Sequence, residues 1–280
     1  MNRRTFLFGP AASLLAAGGP VIVDTHIHLY DPRRPQGVPW PPKTDSLLYK
    51  PTLPGDYAAL VRPLGIIGAV VIEASPWLED NQWVLDLAAR HPIILGLIGH
   101  LEPGSAGYAQ NLARFQKNPR FLGIRLSGAA IKTGIAKPVF LDDLRRLADA
   151  GLALDAIGDA GMIAPLVTLG DRIPALRIAV DHMPEEPPGW QESPAMRDLA
   201  KRPGVFAKVS GVLKARPGSL DLVWSMFGPD HVMYGSNWPV SNRVAPYPEV
   251  LAAVRKYVTA ADAPRFFARN ALACYRWPEH

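Results

Sequence analysis

Eight short apolar runs, each ending in polar residues and each followed by a segment of helical spacing, predict a single-domain (β/α)8 barrel. The runs are nearly continuous in apolar residues, as strands buried on both faces of a parallel sheet are. Their number also fits the length, because eight strand–helix units fill the roughly 260 residues that follow Val21. A doubly wound sheet is the competing architecture, but it needs a glycine-rich phosphate loop after the first strand, and the sequence has none there.

The runs are, in order, Val21–His28, Ile67–Ser75, Ile93–Leu101, Phe121–Gly128, Leu152–Gly158, Arg177–Pro184, Val205–Gly211 and Val232–Pro239. Between them, Asp80–Arg90 places Trp83, Val84 and Leu87 along one helical stripe. Leu141, Leu144 and Leu147 form another stripe beside Asp142 and Asp143. The proline-rich connection from Tyr30 to Gly55 exceeds the usual loop length, which marks it as functional.

Composition narrows the function. Of 280 residues, 48% are hydrophobic and 20% charged, which excludes a disordered chain. Cys274 is the single cysteine, so a disulfide framework and cysteine-rich zinc or iron–sulfur sites are excluded. The net charge of +5 comes from scattered residues rather than a basic run, which argues against nucleic acid and leaves room for steering an anionic small molecule. No apolar stretch has the length of a membrane span.

The first nineteen residues read differently from the rest. Arg3 and Arg4 precede Phe6 and Leu7, and a modestly apolar run ends in Ala16, Ala17, Gly18 and Gly19. This is the plan of a secretory signal, and RRTFL looks like a twin-arginine signal. The expected organisation is therefore a signal at 1–19, a barrel at 20–280, passage through the twin-arginine export machinery and a periplasmic address. A cytoplasmic address is the alternative.

In such barrels the polar residues at the strand C-terminal ends face the active site. Here these are His26 and His28, Glu73, His100, Arg125, Asp155, His182, Lys208 with Ser210, and Asn237. Four of the seven histidines fall on these ends. His26 and His28 are spaced to share a strand face, and such a pair binds a metal or a carbonyl oxygen. Asp24, two residues earlier, is expected on that face too, as a brace. Glu73 is expected either in catalysis or as the ion-pair partner of Arg125 or Lys208. Arg125 offers a fork for a carboxylate.

Five motifs, VDTHIHLYDP, GIR, DHMP, AKVSG and GSNWPV, occur in strand order. On them the chain resembles the amidohydrolase-related TIM-barrel hydrolases, in the branch of 2-pyrone-4,6-dicarboxylate and sugar-acid lactonases. The resemblance implies a hydrolase that opens a lactone or similar cyclic ester. It implies catalytic roles for His26, His28, His182 and Asn237. Substrate contacts are expected from Glu73, His100, Arg125, Lys208, Ser210 and Trp238. Asn237 stands where relatives carry an aspartate, and an amide cannot take a proton. That loss of a carboxylate leads to the expectation of no metal; if zinc or manganese is bound, His26, His28 and His182 are the expected ligands. The remaining base is then expected to be a histidine titrating near ~6.5. Two other readings stay open: a metal-dependent amidohydrolase or decarboxylase, and a binding barrel without catalysis.

Overall fold

The computed structural model describes residues 20–183, 193–214 and 216–277. The export-signal reading lies outside these residues. Eight parallel strands form one sheet in sequence order: β1 (Ile22–Ile27), β2 (Ile66–Ile72), β3 (Ile94–Gly99), β4 (Phe121–Ser127), β5 (Ala153–Ile157), β6 (Arg177–Met183), β7 (Val205–Val209) and β8 (Val232–Tyr234). All eight predicted runs are strands. The sheet closes beyond β8, where Trp238 bridges Ile27 in parallel and Asn237 N–H donates to the His26 carbonyl at 2.9 Å. The chain must pass close to β1 here. A Cβ on Gly235 would lie 2.8 Å from that of His26, so only glycine fits.

The helices are α1 (Pro54–Val61), α2 (Leu78–Arg90), α3 (Tyr108–Phe115), α4 (Gly128–Gly134), α5 (Pro138–Asp149), α6 (Ile163–Arg172), α7 (Pro194–Ala200), α8 (Ser219–Phe227), α9 (Tyr247–Tyr257) and α10 (Asn270–Tyr275). The predicted stripes face the core: Val84 and Leu87 on α2 are buried, as are Leu141, Leu144 and Leu147 on α5. No helix among the described residues is long and apolar enough to cross a membrane.

A second apolar cluster, with Val70, Ile98, Ala153, Ala179, Phe206 and Met233, fills the lower barrel. Ala271, Cys274 and Tyr275 of α10 belong to it and plug the bottom. Strand side chains alternate, so the residues two positions above this layer also point inward. Above Ala153, Ala179 and Phe206 these are Asp155, Asp181 and Lys208. A polar layer thus lies directly on the apolar one.

Asp24 departs from its expected face. A register shift in β1 between Asp24 and Ile27 separates it from His26. Its Oδ2 accepts from Tyr57 OH of α1 at 3.0 Å and Tyr247 OH of α9 at 2.8 Å. Its Oδ1 accepts from the backbone N–H groups of His26 and Ser236 at 3.1 and 2.8 Å. Asp24 is a brace, as expected, but toward the outer helices. The long Tyr30–Gly55 connection is pinned by Tyr30–Thr52 bridging and by an Arg34–Asp80 ion pair at 2.5 Å. It places Trp40 over His28, with ring centroids 5.5 Å apart.

Candidate active site

A cavity of about 720 Å³ opens at the C-terminal ends of the strands. His28, Glu73, Arg125, His182 and Asn237 line its inner end, and His100 lines one wall. These six were expected at the site, and the fold brings them together. The remaining five expected residues, Asp155 among them, lie behind the lining. His26 is fully buried beneath, its Nε2 3.3 Å from that of His28. Lys208 is fully buried too, paired with Asp155 and with Asp181 Oδ1 at 2.9 Å, so it contacts carboxylates rather than substrate. Ser210 sits behind His182, where its Oγ accepts from His182 N–H and meets Nδ1, both at 3.0 Å. Trp238 packs on Tyr57, centroids 5.3 Å apart, and serves barrel closure. Substrate contact by Lys208, Ser210 and Trp238 is therefore corrected to support of the residues that do face the cavity.

His182 and Asn237 share an uncommon backbone. Their φ angles are +60° and +58°, in the left-handed region that non-glycine residues seldom occupy. Strain of this kind persists where the surroundings hold it, and it gathers at functional sites. At His182 it breaks the alternation of β6, whose register to β7 shifts between Val180 and Met183. Consecutive residues Asp181 and His182 both reach the site for that reason. Asp181 was missed by sequence reasoning, because alternation assigns only one of two neighbours to the mouth.

Asp181 is the hub beneath the floor. It lies 3.5 Å from His26 Nδ1, 2.9 Å from Lys208 Nζ and 3.8 Å from Arg125 Nη1. Burial opposes its charge, but Lys208, His26 and His182 outweigh burial and hold the carboxyl well below its ordinary range. Asp155 is pushed up to about 7 by burial, against the pull of Lys208. Burial likewise works against Lys208, yet Asp155 and Asp181 raise it and keep it charged. Tyr275 OH, rising from the plug, donates to Asp155 at 3.0 Å.

Glu73 resolves to one of its expected partners. Arg125 Nε donates to Glu73 Oε1 at 2.9 Å, and Arg125 Nη2 donates to the Glu73 carbonyl at 2.8 Å. The cavity's inner cation is thus already neutralised. His28 Nδ1–H donates to the Ile72 carbonyl at 3.0 Å, which leaves Nε2 as an acceptor. Burial, reinforced by Arg125, lowers His28 to about 3. Burial also carries His26 well below its usual value, against the pull of Asp181. Neither imidazole supplies the expected titration near ~6.5.

These two histidines give the fold a pH dependence with a fixed sign. The unfolded chain takes up protons below ~6.5 while the folded one does not, so stability is full above that pH and lost as pH falls toward about 3. Each such histidine contributes a slope of about 1.4 kcal/mol per pH unit. Asp155, pushed up to about 7, gives the opposite slope over the same range, so the histidine share is read as a difference: in denaturant unfolding at pH 4, 5 and 6, wild type should lose about 1.4 kcal/mol per pH unit relative to His28→Asn as pH falls. An unchanged slope would show that His28 is protonated in the fold.

The residues present fit a divalent cation. Ligand atoms of His26, Asp181 and His182 all lie within 4.8 Å of one another. Two neutral imidazole donors and an ionised carboxylate form a donor set that zinc accepts. Asp181 replaces His28 in the ligand set expected from sequence.

Known proteins share this architecture. The chain is 30% identical to an L-fucono-1,5-lactonase of Burkholderia ambifaria over 234 residues, 78% of this chain and 80% of that one. A crystal structure of an amidohydrolase from Burkholderia multivorans with bound zinc superposes with a TM-score of 0.81 at 21% identity, covering 92% of this chain and all of that one. A probable 2-pyrone-4,6-dicarboxylic acid hydrolase of Acinetobacter baumannii, with citric acid bound, gives a TM-score of 0.72 at 15% identity over 91% of this chain and 99% of that one. The amidohydrolase family model matches residues 23–277, the whole barrel from β1 to the α10 plug. The fold, the strand-end histidines and this match agree: the chain belongs to the amidohydrolase family.

Proposed function

We propose that this protein is a lactone hydrolase acting on an uncharged sugar-acid lactone. The carrying observation is the Arg125–Glu73 pair, which puts a polarising cation at the cavity's inner end without a net positive charge. A dicarboxylate is bound best by unpaired cations there, so this pairing favours a neutral lactone, with the anionic substrate expected from sequence as the alternative. The lactonase relative from Burkholderia ambifaria supports the reaction class.

In the proposed reaction, water attacks the lactone carbonyl carbon. His182 takes the water's proton at Nε2, since Nδ1 is engaged by Ser210. His28 is too weak a base for that step, and Glu73 is held by Arg125. The Arg125 guanidinium stabilises the oxyanion. The bond from the carbonyl carbon to the ring oxygen then breaks, the ring oxygen takes a proton from His182, and the open hydroxy acid leaves. A divalent cation held by His26, Asp181 and His182 would supply Lewis-acid polarisation of the carbonyl and would use His182 as a ligand instead of a base, so the base role assigned to His182 belongs to the metal-free reaction. Asp181 is already balanced by Lys208, so activity is expected to survive chelation. Loss on chelation that zinc restores would favour the metal-assisted reading. The test is a hydrolysis screen of aldonolactones and pyrone carboxylates, with and without chelator. Turnover of only the carboxylates would refute the neutral-substrate assignment, and turnover of none would leave a binding barrel.

Among the described residues, Asn237 Oδ1 is buried at the cavity without a hydrogen-bond partner. An orphaned buried acceptor is costly, and a substrate hydroxyl or the attacking water satisfies it. Asn237→Ala should lower kcat/KM by on the order of 10²-fold on the best lactone, with only a small drop in melting temperature from placing alanine in the left-handed region. Full activity with lowered stability would reduce Asn237 to a turn residue.

The N-terminal segment is proposed as a twin-arginine signal, with a periplasmic product. The family match starts after it, at residue 23. Replacing Arg3 and Arg4 with lysines should retain the protein in the cytoplasm; equal periplasmic amounts would defeat the assignment.

A further inference from the structure

We infer that the natural substrate is a glycosylated lactone, with the lactone ring at the inner end of the cavity and a second sugar in its outer half. This rests on the lactone-hydrolase reading and names the substrate class within it.

The first observation is space. At ~30 Å³ per water, the cavity of about 720 Å³ holds on the order of two dozen waters, whereas a six-carbon lactone has only about eleven non-hydrogen atoms. One ring leaves roughly half of the volume unused. The second is construction. A strand–helix unit needs one helix, but the β4–β5 connection carries two, α4 and α5. The extra helix α4 begins directly after β4, and its Ala130, Thr133 and Gly134 line the outer half. A Cβ on Gly134 would lie 2.4 Å from the Phe140 ring, so glycine lets α4 close onto that ring and fix it in the wall. The loop after β3 is tied to the same wall, because Gly104 N–H donates to Asp143 Oδ2 at 2.7 Å. The outer half is therefore built across two loops.

The third observation is chemistry. Phe140 and Pro103 give this half an apolar wall; Lys137 and Thr133 supply donors, and Glu102 an acceptor. Lys137 makes no ion pair among the described residues. Lys137, Thr133 and Glu102 are exposed at the cavity rim, and a purely apolar substituent would take Lys137 and Thr133 out of water without satisfying them. An anionic substituent would face Glu102. A sugar ring offers an apolar C–H face together with hydroxyls that both accept and donate, which matches all three. The glycosidic bond is not touched; the bond broken remains that between the carbonyl carbon and the ring oxygen.

The experiment measures kcat/KM for 1,5-lactones of disaccharide aldonic acids beside their parent monosaccharide lactones, in the wild type and in Lys137→Ala/Thr133→Val. At least one disaccharide lactone should exceed its parent by about tenfold, the equivalent of about 1.4 kcal/mol. The double variant should abolish that gain and leave the parent lactone unchanged. Parents turned over with no disaccharide exceeding them would overturn this inference alone, as would a gain that survives in the double variant. No turnover of any lactone would overturn the hydrolase reading as well.

Discussion

Lys208→Met should lower folding stability by about 3–5 kcal/mol and the melting temperature by on the order of 10 °C. The ammonium is fully buried between Asp155 and Asp181, themselves inaccessible to solvent. Replacing the whole network with apolar residues would cost far less than removing one member, because what remains is two undercompensated carboxylates in one desolvated layer. The deficit should depend on pH. Burial already pushes Asp155 up to about 7 while Lys208 pulls it down. Without Lys208 only the more distant Arg125 faces Asp181 as a cation, and Asp155, left without one, binds a proton more readily still. Protonation relieves the repulsion, so the deficit should be smaller at pH 5 than at pH 8. Denaturant unfolding of both proteins at the two pH values tests this. Equal deficits would show that Lys208 contributes packing volume rather than charge.

The same layer shows which parts of this molecule were legible in its sequence. Each strand announced itself as an apolar run because both of its faces are buried. His28, Arg125, His182 and Asn237 were legible as the last polar residues of their runs, since barrel geometry turns that position toward the mouth. Depth was not legible. Lys208 sits on a strand end like Arg125, yet it is locked below the floor while Arg125 lines the cavity. What separates them is the placement of carboxylates on neighbouring strands, a tertiary fact. Asp181 was hidden for a different reason. Alternation makes it and His182 exclusive, and only the left-handed φ of His182 brings both to the site. Asp24 was displaced by a comparable irregularity in β1. Period-two reasoning therefore fails at the strand ends, where the backbone departs from regular strand geometry. The Tyr275 contact to Asp155 spans 120 residues of sequence, and no local pattern marks it.

His182→Asn should lower kcat by about 10²–10⁴-fold on the best lactone while leaving the fold intact. Asparagine is chosen because it tolerates the left-handed backbone that this position requires, so the substitution removes the imidazole without adding strain. An amide hydrogen-bonds but takes no proton, so the variant loses the base specifically. Ser210→Ala provides the second reading. Ser210 Oγ holds both the backbone N–H and Nδ1 of His182, and its removal should loosen the ring while leaving the base present. A milder loss of about tenfold is expected there, with the acidic limb of the pH–rate profile displaced rather than abolished. In His182→Asn that limb should vanish, and added imidazole should restore part of kcat, because it supplies a diffusible base in the space the side chain vacates. The alternative is that His182 only packs against His26, their ring centroids 4.6 Å apart. In that case His182→Asn would lower the melting temperature and retain most of kcat, added imidazole would do nothing, and the assignment of His182 as the base would be wrong.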